Sequence, residues 1–221
     1  MSRISIGING SRKPSEQFDD LEQQQSSASL GMWLFLATEV LFFSGLFLAY
    51  ITYRVTYPEV FDLAGRSLNL TIGTANTAVL LVSSYFMALA VHFAQENFPR
   101  KSAVFLALTW FLGFAFLCLK AFEYYDDIEK HIVPGTSINY AGPHPEVARM
   151  LYFIYYVMTG LHAFHLTVGL VIVAVILFRT IRNEFSSVYY TPVEVTGLYW
   201  HFVDVVWIFL YPLFYLMDRY S

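Results

Sequence analysis

Five predominantly apolar stretches, separated by short polar segments, dominate the pattern of this chain. Each is long enough for a transmembrane helix, which needs roughly 20 mostly apolar residues. The stretches lie at about 30–53, 70–95, 102–124, 147–182 and 192–215. The pattern predicts an all-α fold, an integral membrane bundle of five transmembrane helices within residues 30–221. Residues 1–29 are polar and predict a mobile N-terminal tail.

Two of the predicted helices have recognisable start signals. Ser29 stands immediately before the first apolar stretch, and serine is a preferred N-cap residue. Before the fifth stretch, Thr191 and Glu194 have the spacing of a capping box, with Pro192 at the first helical position. We therefore expect Ser29 and Thr191 to cap the first and fifth spans.

The composition agrees with a membrane protein. Charged residues make up 14% of the chain and aromatic residues 19%, whereas soluble domains have about 25% charged residues. Aromatic side chains at this level suit lipid and the membrane–water interface. The net charge of −4 offers no basic surface for nucleic acid, and the single cysteine, Cys118, excludes an internal disulfide.

The basic residues of the short flanks predict the orientation of the bundle. With five spans, the N-terminal tail shares a side with the second-to-third and fourth-to-fifth connections. That side carries Arg3, Arg12, Lys13, Arg100, Lys101, Arg179 and Arg182, whereas basic residues on the other side are mixed with more acidic ones. We expect the N-terminus inside and the C-terminus outside.

Glu39 interrupts the first apolar stretch. It lies nine residues after Leu30, which at about 1.5 Å per residue is roughly 14 Å into the membrane, near its middle. An ionised carboxylate there costs about 2.5–3.5 kcal/mol. Two interpretations are open: a neutral carboxyl that hydrogen-bonds two helices together, or a carboxyl that exchanges protons or contacts a partner.

The fourth and fifth stretches each carry two polar residues on one helix face. His162 and His165 are three residues apart, and so are His201 and Asp204. Such residues can hydrogen-bond between helices, ligate haem iron or another metal, or handle protons. We favour hydrogen bonding, which includes an internal His201–Asp204 pair.

Lys120 and Glu123 have the same spacing in the third stretch. They predict an ion pair near the outer boundary of the membrane. The alternative is a lysine that extends to the interface and leaves Glu123 to pair elsewhere.

Four motifs, in order along the chain, resemble those of one family. They are ATEVLFFSG (37–45), LKAFEYYDD (119–127), TGLHAFHLTVGL (159–170) and GLYWHFVDVVWIFLYPLFY (197–215). Over residues 31–215 the chain is similar to subunit III of the haem–copper cytochrome oxidases. Because only the tail precedes the span with Glu39, it resembles the five-span bacterial form more than the seven-span form.

The resemblance implies a non-catalytic subunit of a proton-pumping terminal oxidase that reduces O₂ to water. It implies no haem or copper on this chain, both groups in partner subunits, and bound phospholipid. The implied partners are subunit I, subunit II, further respiratory-complex subunits and membrane lipids, in a bacterial cytoplasmic (inner) membrane. The implied roles are to stabilise subunit I and to support proton uptake.

The resemblance also implies roles for individual residues. Glu39 matches the family's reactive intramembrane carboxyl. The positions that match its polar core or subunit contacts are Glu123, His162, His165, Tyr199, Trp200, His201 and Asp204.

Three alternatives to the oxidase subunit stay open at the level of sequence. One is the related accessory subunit of a nitric oxide reductase complex. Another is a membrane protein that binds haem by itself through His162, His165 and His201. The third is a small transporter with Glu39 as its coupling site.

Overall fold

The structure is a computed structural model that describes residues 18, 20–65, 69–129, 140, 142–185 and 189–216. Within these ranges it is helical and contains no β-strand. The helices are α1 (Leu21–Thr56), α2 (Pro58–Gly65), α3 (Leu70–Gln95), α4 (Pro99–Glu129), α5 (Pro145–Ile181) and α6 (Thr191–Tyr211), followed by a π-helical turn at Pro212–Leu216. All but the short α2 belong to segments that are long and apolar enough to cross a membrane, which confirms the prediction of five spanning helices.

The first helix begins earlier than the apolar pattern predicts. α1 starts at Leu21, and the N-cap is Asp20, whose carboxylate accepts a hydrogen bond from the Gln23 amide at 2.7 Å. Ser29 lies inside the helix, so its assignment as the N-cap is wrong. Residues 21–29 of the predicted tail are helical, whereas 1–17 and 19 lie outside the described residues, and the mobility of the tail stays a prediction. Apolar residues mark where a helix enters lipid, but its hydrogen bonding can begin before that point.

The predicted capping box of the last span is not formed. The N-cap position of α6 is taken by Tyr190, which makes no side-chain cap, and Thr191 is already helical. At the other end Pro212 has no N–H to continue the α-helical bonding pattern, and the chain passes into the π-helical turn. This turn keeps Tyr215 inside the bundle, where it is buried.

Helices α3 and α4 form an antiparallel pair through small and hydroxyl-bearing residues. The Ser102 hydroxyl donates to the Ala90 carbonyl at 2.9 Å, and the Ser83 hydroxyl donates to the Thr109 carbonyl at 3.3 Å. Apolar surface gains little from leaving lipid, so helix association in a membrane depends on close packing and on such hydrogen bonds. The small polar residues of the second predicted span therefore bind the two helices together.

Helix α6 is the centre of the bundle and α1 is at its periphery. In an apolar 18-residue part of the last span, 56% of the residues are buried inside the structure. In the corresponding part of the first span, 17% are buried. Helix α6 contacts α1, α3 and α5. An odd number of spans places the start of α1 and the end of α6 on opposite sides of the membrane, and the inside location of the N-terminus stays a prediction.

Trp200 of α6 fills a slot that two glycines open. It is fully buried, and its indole N–H donates to the Ser83 hydroxyl at 3.2 Å. A Cβ atom at Gly113 of α4 would lie 2.6 Å from the Trp200 ring, and one at Gly169 of α5 would lie 3.2 Å from it. The lack of a side chain at these glycines lets α4 and α5 approach the central tryptophan.

We expect Gly113→Ala to destabilise the protein by about 1–3 kcal/mol, because an added methyl group must displace a ring held on all sides. The matched control is Gly160→Ala in α5, where a Cβ would meet no atom within 4 Å. That variant should be neutral or slightly stabilising, since alanine favours a helix over glycine. Thermal denaturation of the purified, detergent-solubilised protein gives the melting temperature of each variant. Equal melting temperatures for the two variants would contradict the close contact between Gly113 and the Trp200 ring.

Candidate functional site

A buried ion pair lies between α4, α5 and the π-helical turn. Lys120 and Glu123 are on one face of α4, and the ammonium nitrogen is 2.9 Å from Glu123 Oε2. The lysine also donates to the hydroxyl groups of Tyr155 at 2.9 Å and Tyr215 at 2.8 Å. All three ammonium protons thus have an acceptor, and Lys120 does not extend to the membrane interface, because it is 2% exposed.

Glu123 is equally well satisfied. Its Oε1 atom accepts hydrogen bonds from the hydroxyl groups of Tyr215 and Tyr155, and its Oε2 atom accepts from Lys120. We call these four residues, Lys120, Glu123, Tyr155 and Tyr215, the tyrosine–ion-pair cluster. Because every charge is paired and water is excluded, the arrangement suits the anchoring of three chain segments and offers no open position for a substrate.

Sequence reasoning missed the two tyrosines of this cluster. Asp127, one turn beyond Glu123, was also missed; it is buried and accepts a hydrogen bond from Tyr156 at 3.2 Å. With 16 tyrosines in the chain, nothing in the sequence separates a buried hydroxyl from one at the membrane interface. The signal that could have marked Asp127 is its spacing of four residues from Glu123 on the same helix face.

Glu39 of α1 and His165 of α5 form the second polar contact. Glu39 Oε2 is 3.1 Å from His165 Nε2, and the two side chains are 20% and 13% exposed. The second ring nitrogen, Nδ1, is 2.8 Å from the carbonyl oxygen of Leu161, one turn earlier in α5. The contact joins the peripheral α1 to the bundle at a partly open surface.

The proton count of this pair follows from its geometry. A carbonyl oxygen can only accept, so His165 Nδ1 carries a proton and donates it to Leu161. The bond to Glu39 then has two forms: a protonated carboxyl that donates to neutral Nε2, or an imidazolium that donates to a carboxylate. Both forms have zero net charge and differ only in the position of one proton between the two residues. The pair can therefore move a proton without placing a net charge in the membrane.

The remaining predicted residues do not form one continuous polar group with Glu39. His162 Nε2 lies 3.2 Å from the Val203 carbonyl, and the Tyr199 hydroxyl donates to the His165 carbonyl at 3.0 Å. His201 Nδ1 is 2.7 Å from the Ser84 hydroxyl. The polar residues of α5 and α6 thus connect to separate neighbours.

The predicted His201–Asp204 pair is not formed. Asp204 is buried, and neither carboxyl oxygen has a hydrogen-bond partner among the described residues, because His201 turns to Ser84 on α3. Equal spacing on one helix places two residues on one face, but it does not orient their side chains toward each other.

The three histidines of α5 and α6 do not converge on a shared centre. His162, His165 and His201 have different hydrogen-bond partners. In the described part of the chain, no three His, Cys, Asp or Glu side chains are placed to hold a metal ion. The geometry supports hydrogen bonding over metal ligation for these residues.

The fold and its polar contacts define a class of protein. Five apolar helices of spanning length, held together by a buried ion-pair cluster and by a histidine–carboxyl contact, describe a multi-pass membrane protein. A family model described as "Cytochrome c oxidase subunit III" matches residues 19–219. The chain belongs to the cytochrome c oxidase subunit III family.

Curated relatives agree with this assignment. The chain is 35% identical over 200 residues to cytochrome c oxidase subunit 3 of Carassius auratus and 36% identical to that of Gadus morhua. In both comparisons the match covers 86% of this chain and 70% of the relative. The similarity thus spans the whole helical bundle, and it makes this chain an oxidase subunit III of the respiratory chain.

We expect Lys120→Met to destabilise the protein by about 3–5 kcal/mol, because it leaves Glu123 buried without its counter-charge. The double variant Lys120→Met, Glu123→Gln should recover most of that loss, since a neutral amide needs no cation. Thermal denaturation of the purified protein gives the coupling between the two sites. Additive losses in the double variant would show that the two residues do not act as a pair.

Proposed function

We propose that this chain is a non-catalytic subunit of an oxidase that reduces O₂ to water, and that it stabilises subunit I and supports proton uptake. Membership of the subunit III family supports the oxidase over the nitric oxide reductase alternative. The observation that carries the proton role is the Glu39–His165 contact at 3.1 Å. It is the one intramembrane contact in the described residues between a histidine and an acidic side chain.

The exposure of this pair separates it from the tyrosine–ion-pair cluster. Glu39 and His165 are partly accessible, whereas the side chains of Lys120 and Glu123 are 3% and 1% exposed. A group that exchanges protons needs a route to a neighbour, and a closed cluster has none. We propose that Glu39 gives the proton it shares with His165 to a group outside this chain, which leaves one negative charge on the pair until Glu39 takes up another proton.

The stabilising role rests on the surface of the bundle. Large apolar side chains are exposed along the spanning helices, including Trp33, Leu41 and Phe42 on α1. Lipid can cover such a surface, and so can another membrane subunit. We propose subunit I as the main partner, subunit II and further respiratory subunits as additional partners, and haem and copper in those partners.

The bacterial cytoplasmic membrane is our proposal for the location. It rests on the resemblance to the five-span form, and the fish relatives, which are mitochondrial, do not support it. Isolation of the complex through a tag on this chain tests the function directly. We expect a haem absorption spectrum and O₂ consumption from the co-purifying subunits, and a complex without haem or without O₂ consumption would contradict the proposal.

We expect Glu39→Gln to slow proton uptake while the chain stays in the complex. The glutamine amide can still donate to His165 Nε2, but it cannot release a proton. Glu39→Leu should weaken the attachment of α1 as well, by about 0.6–1.7 kcal/mol, the usual range for an interhelical hydrogen bond in a membrane. A pH-indicator dye in proteoliposomes reports the uptake rate, and gel analysis reports retention of the chain.

Glu146→Gln is the matched control for these variants, because Glu146 is an exposed acid in the first turn of α5. It should change neither measurement. Uptake at the normal rate in Glu39→Gln would contradict the proton role. Loss of the Glu39→Gln chain from the complex would show that the contact serves attachment alone.

A further inference from the structure

Tyr199 of α6 contacts both of the helices that meet at the Glu39–His165 pair. Tyr199 is 4% exposed, and its hydroxyl group donates to the main-chain carbonyl of His165 on α5 at 3.0 Å. Its ring lies 6.2 Å, centre to centre, from the ring of Phe35 on α1. Phe35 is one helical turn before Glu39 and on the same face of α1. A single side chain of the central helix thus touches α5 at His165 and α1 one turn from Glu39.

The hydroxyl group of Tyr199 is a second donor to the His165 carbonyl. Within the α-helix this carbonyl accepts a hydrogen bond from the amide of Gly169, four residues later, and a carbonyl oxygen can accept two hydrogen bonds. The helical bond orders α5 internally, whereas the bond from Tyr199 is made by another helix. It therefore fixes the position of His165 relative to α6, the centre of the bundle.

Gly169 leaves the space in which the Tyr199 ring reaches this carbonyl. A Cβ atom at Gly169 would lie 3.3 Å from the Tyr199 ring, which is closer than most Cβ contacts in proteins. A larger residue at this position would push the ring away from α5. Gly169 thus supplies the helical donor to the His165 carbonyl and also the room for the second donor.

The other contacts of His165 fix the direction of its ring. Its Nδ1 atom is 2.8 Å from the Leu161 carbonyl, and the ring lies 5.5 Å, centre to centre, from that of Phe43 on α1. These contacts determine where Nε2 points. The distance from Nε2 to Glu39 depends in addition on the height and rotation of α5 at His165. The bond from Tyr199 acts on this second requirement, because it holds the main chain of that residue.

We propose that Tyr199 is a positioning residue for proton exchange at Glu39, and that its hydrogen bond to the His165 carbonyl holds Nε2 within hydrogen-bond distance of the carboxyl group. Tyr199 donates its own proton to a main-chain carbonyl, so it takes no part in the transfer itself. Groups that exchange a proton have to be held in alignment by neighbours whose own side chains are fixed. A buried tyrosine packed against Gly169 meets this requirement. The proposal rests on the proposed function of the Glu39–His165 pair.

Tyr124 of α4 provides a matched comparison. Its hydroxyl group is 2.6 Å from the Thr159 hydroxyl on α5, so it too attaches α5 to a neighbouring helix. Thr159 is six residues before His165, which is about 9 Å along the helix axis. If any tyrosine that anchors α5 were enough to align the pair, loss of the Tyr124 hydroxyl would have the same effect as loss of the Tyr199 hydroxyl.

The test compares Tyr199→Phe with Tyr124→Phe in the purified native membrane complex that contains this chain. The infrared bands of the Glu39 carboxyl group, identified by their loss in Glu39→Gln, report its hydrogen bond to His165. A pH-indicator dye in proteoliposomes reports the rate of proton uptake. Tyr199→Phe should shift the bands and slow uptake roughly threefold, which is the equilibrium factor for an interhelical hydrogen bond of average strength in a membrane. Tyr124→Phe should change neither measurement.

Three results would overturn the proposal. The first is unchanged infrared bands in Tyr199→Phe, and the second is an equal change in Tyr124→Phe. The third is shifted bands with a normal rate of uptake in Tyr199→Phe, when Glu39→Gln slows uptake. Normal uptake in Glu39→Gln is a different result, because it contradicts the proposed function of the pair, and the bands then still show whether Tyr199 holds His165 in place.

Phe35→Leu tests the same contact from the side of α1. It removes the ring next to Tyr199 and leaves every hydrogen bond of the pair, and because Phe35 is 41% exposed, we expect the variant to fold. It should shift the Glu39 bands in the same direction as Tyr199→Phe. Gel analysis of the same samples reports retention of each variant chain in the complex. If the Tyr199→Phe chain is lost, unshifted bands in Phe35→Leu would overturn the proposal.

Discussion

Hydrocarbon offers no hydrogen bonds, and this constraint governs where polar groups lie in the bundle. A polar side chain that enters the membrane is therefore stabilised by a partner on another helix or on its own backbone. Lys120 shows the consequence most fully, because its three protons go to Glu123, Tyr155 and Tyr215 on three separate segments. Burial of any one of these polar side chains alone would cost free energy. Paired with one another, they form contacts that determine how the helices pack.

Two kinds of polar contact result from this constraint, and they suit different tasks. The tyrosine–ion-pair cluster is closed, fully paired and buried, so a change of its protonation would leave an uncompensated charge in a dry place. The Glu39–His165 pair is partly exposed and can move its proton at constant net charge. The first contact holds the bundle together. The second is accessible to a group outside the chain, because it is only partly buried.

Close packing sets the second limit on the architecture. Trp200 occupies the middle of the bundle only because Gly113 and Gly169 present no side chain to it. Its neighbour Asp204 is buried with no hydrogen bond to the described residues. The position of α6 thus follows from the large rings of Trp200 and Trp207 and from their hydrogen bonds to Ser83 and Thr77. It does not follow from a hydrogen bond of Asp204.

Much of the fold could be read from the chain alone. Apolar length predicts five spanning helices because the thickness of a bilayer is fixed, and helical spacing places Lys120 and Glu123, or His162 and His165, on one face. Contacts within one helix are therefore accessible to sequence reasoning. Contacts between helices are not, since they depend on rotation and depth: Glu39 and His165 are 126 positions apart, and Tyr215 reaches Glu123 over 92. The tertiary packing also separated His201 from Asp204, because it places the hydroxyl of Ser84 on α3 2.7 Å from His201 Nδ1.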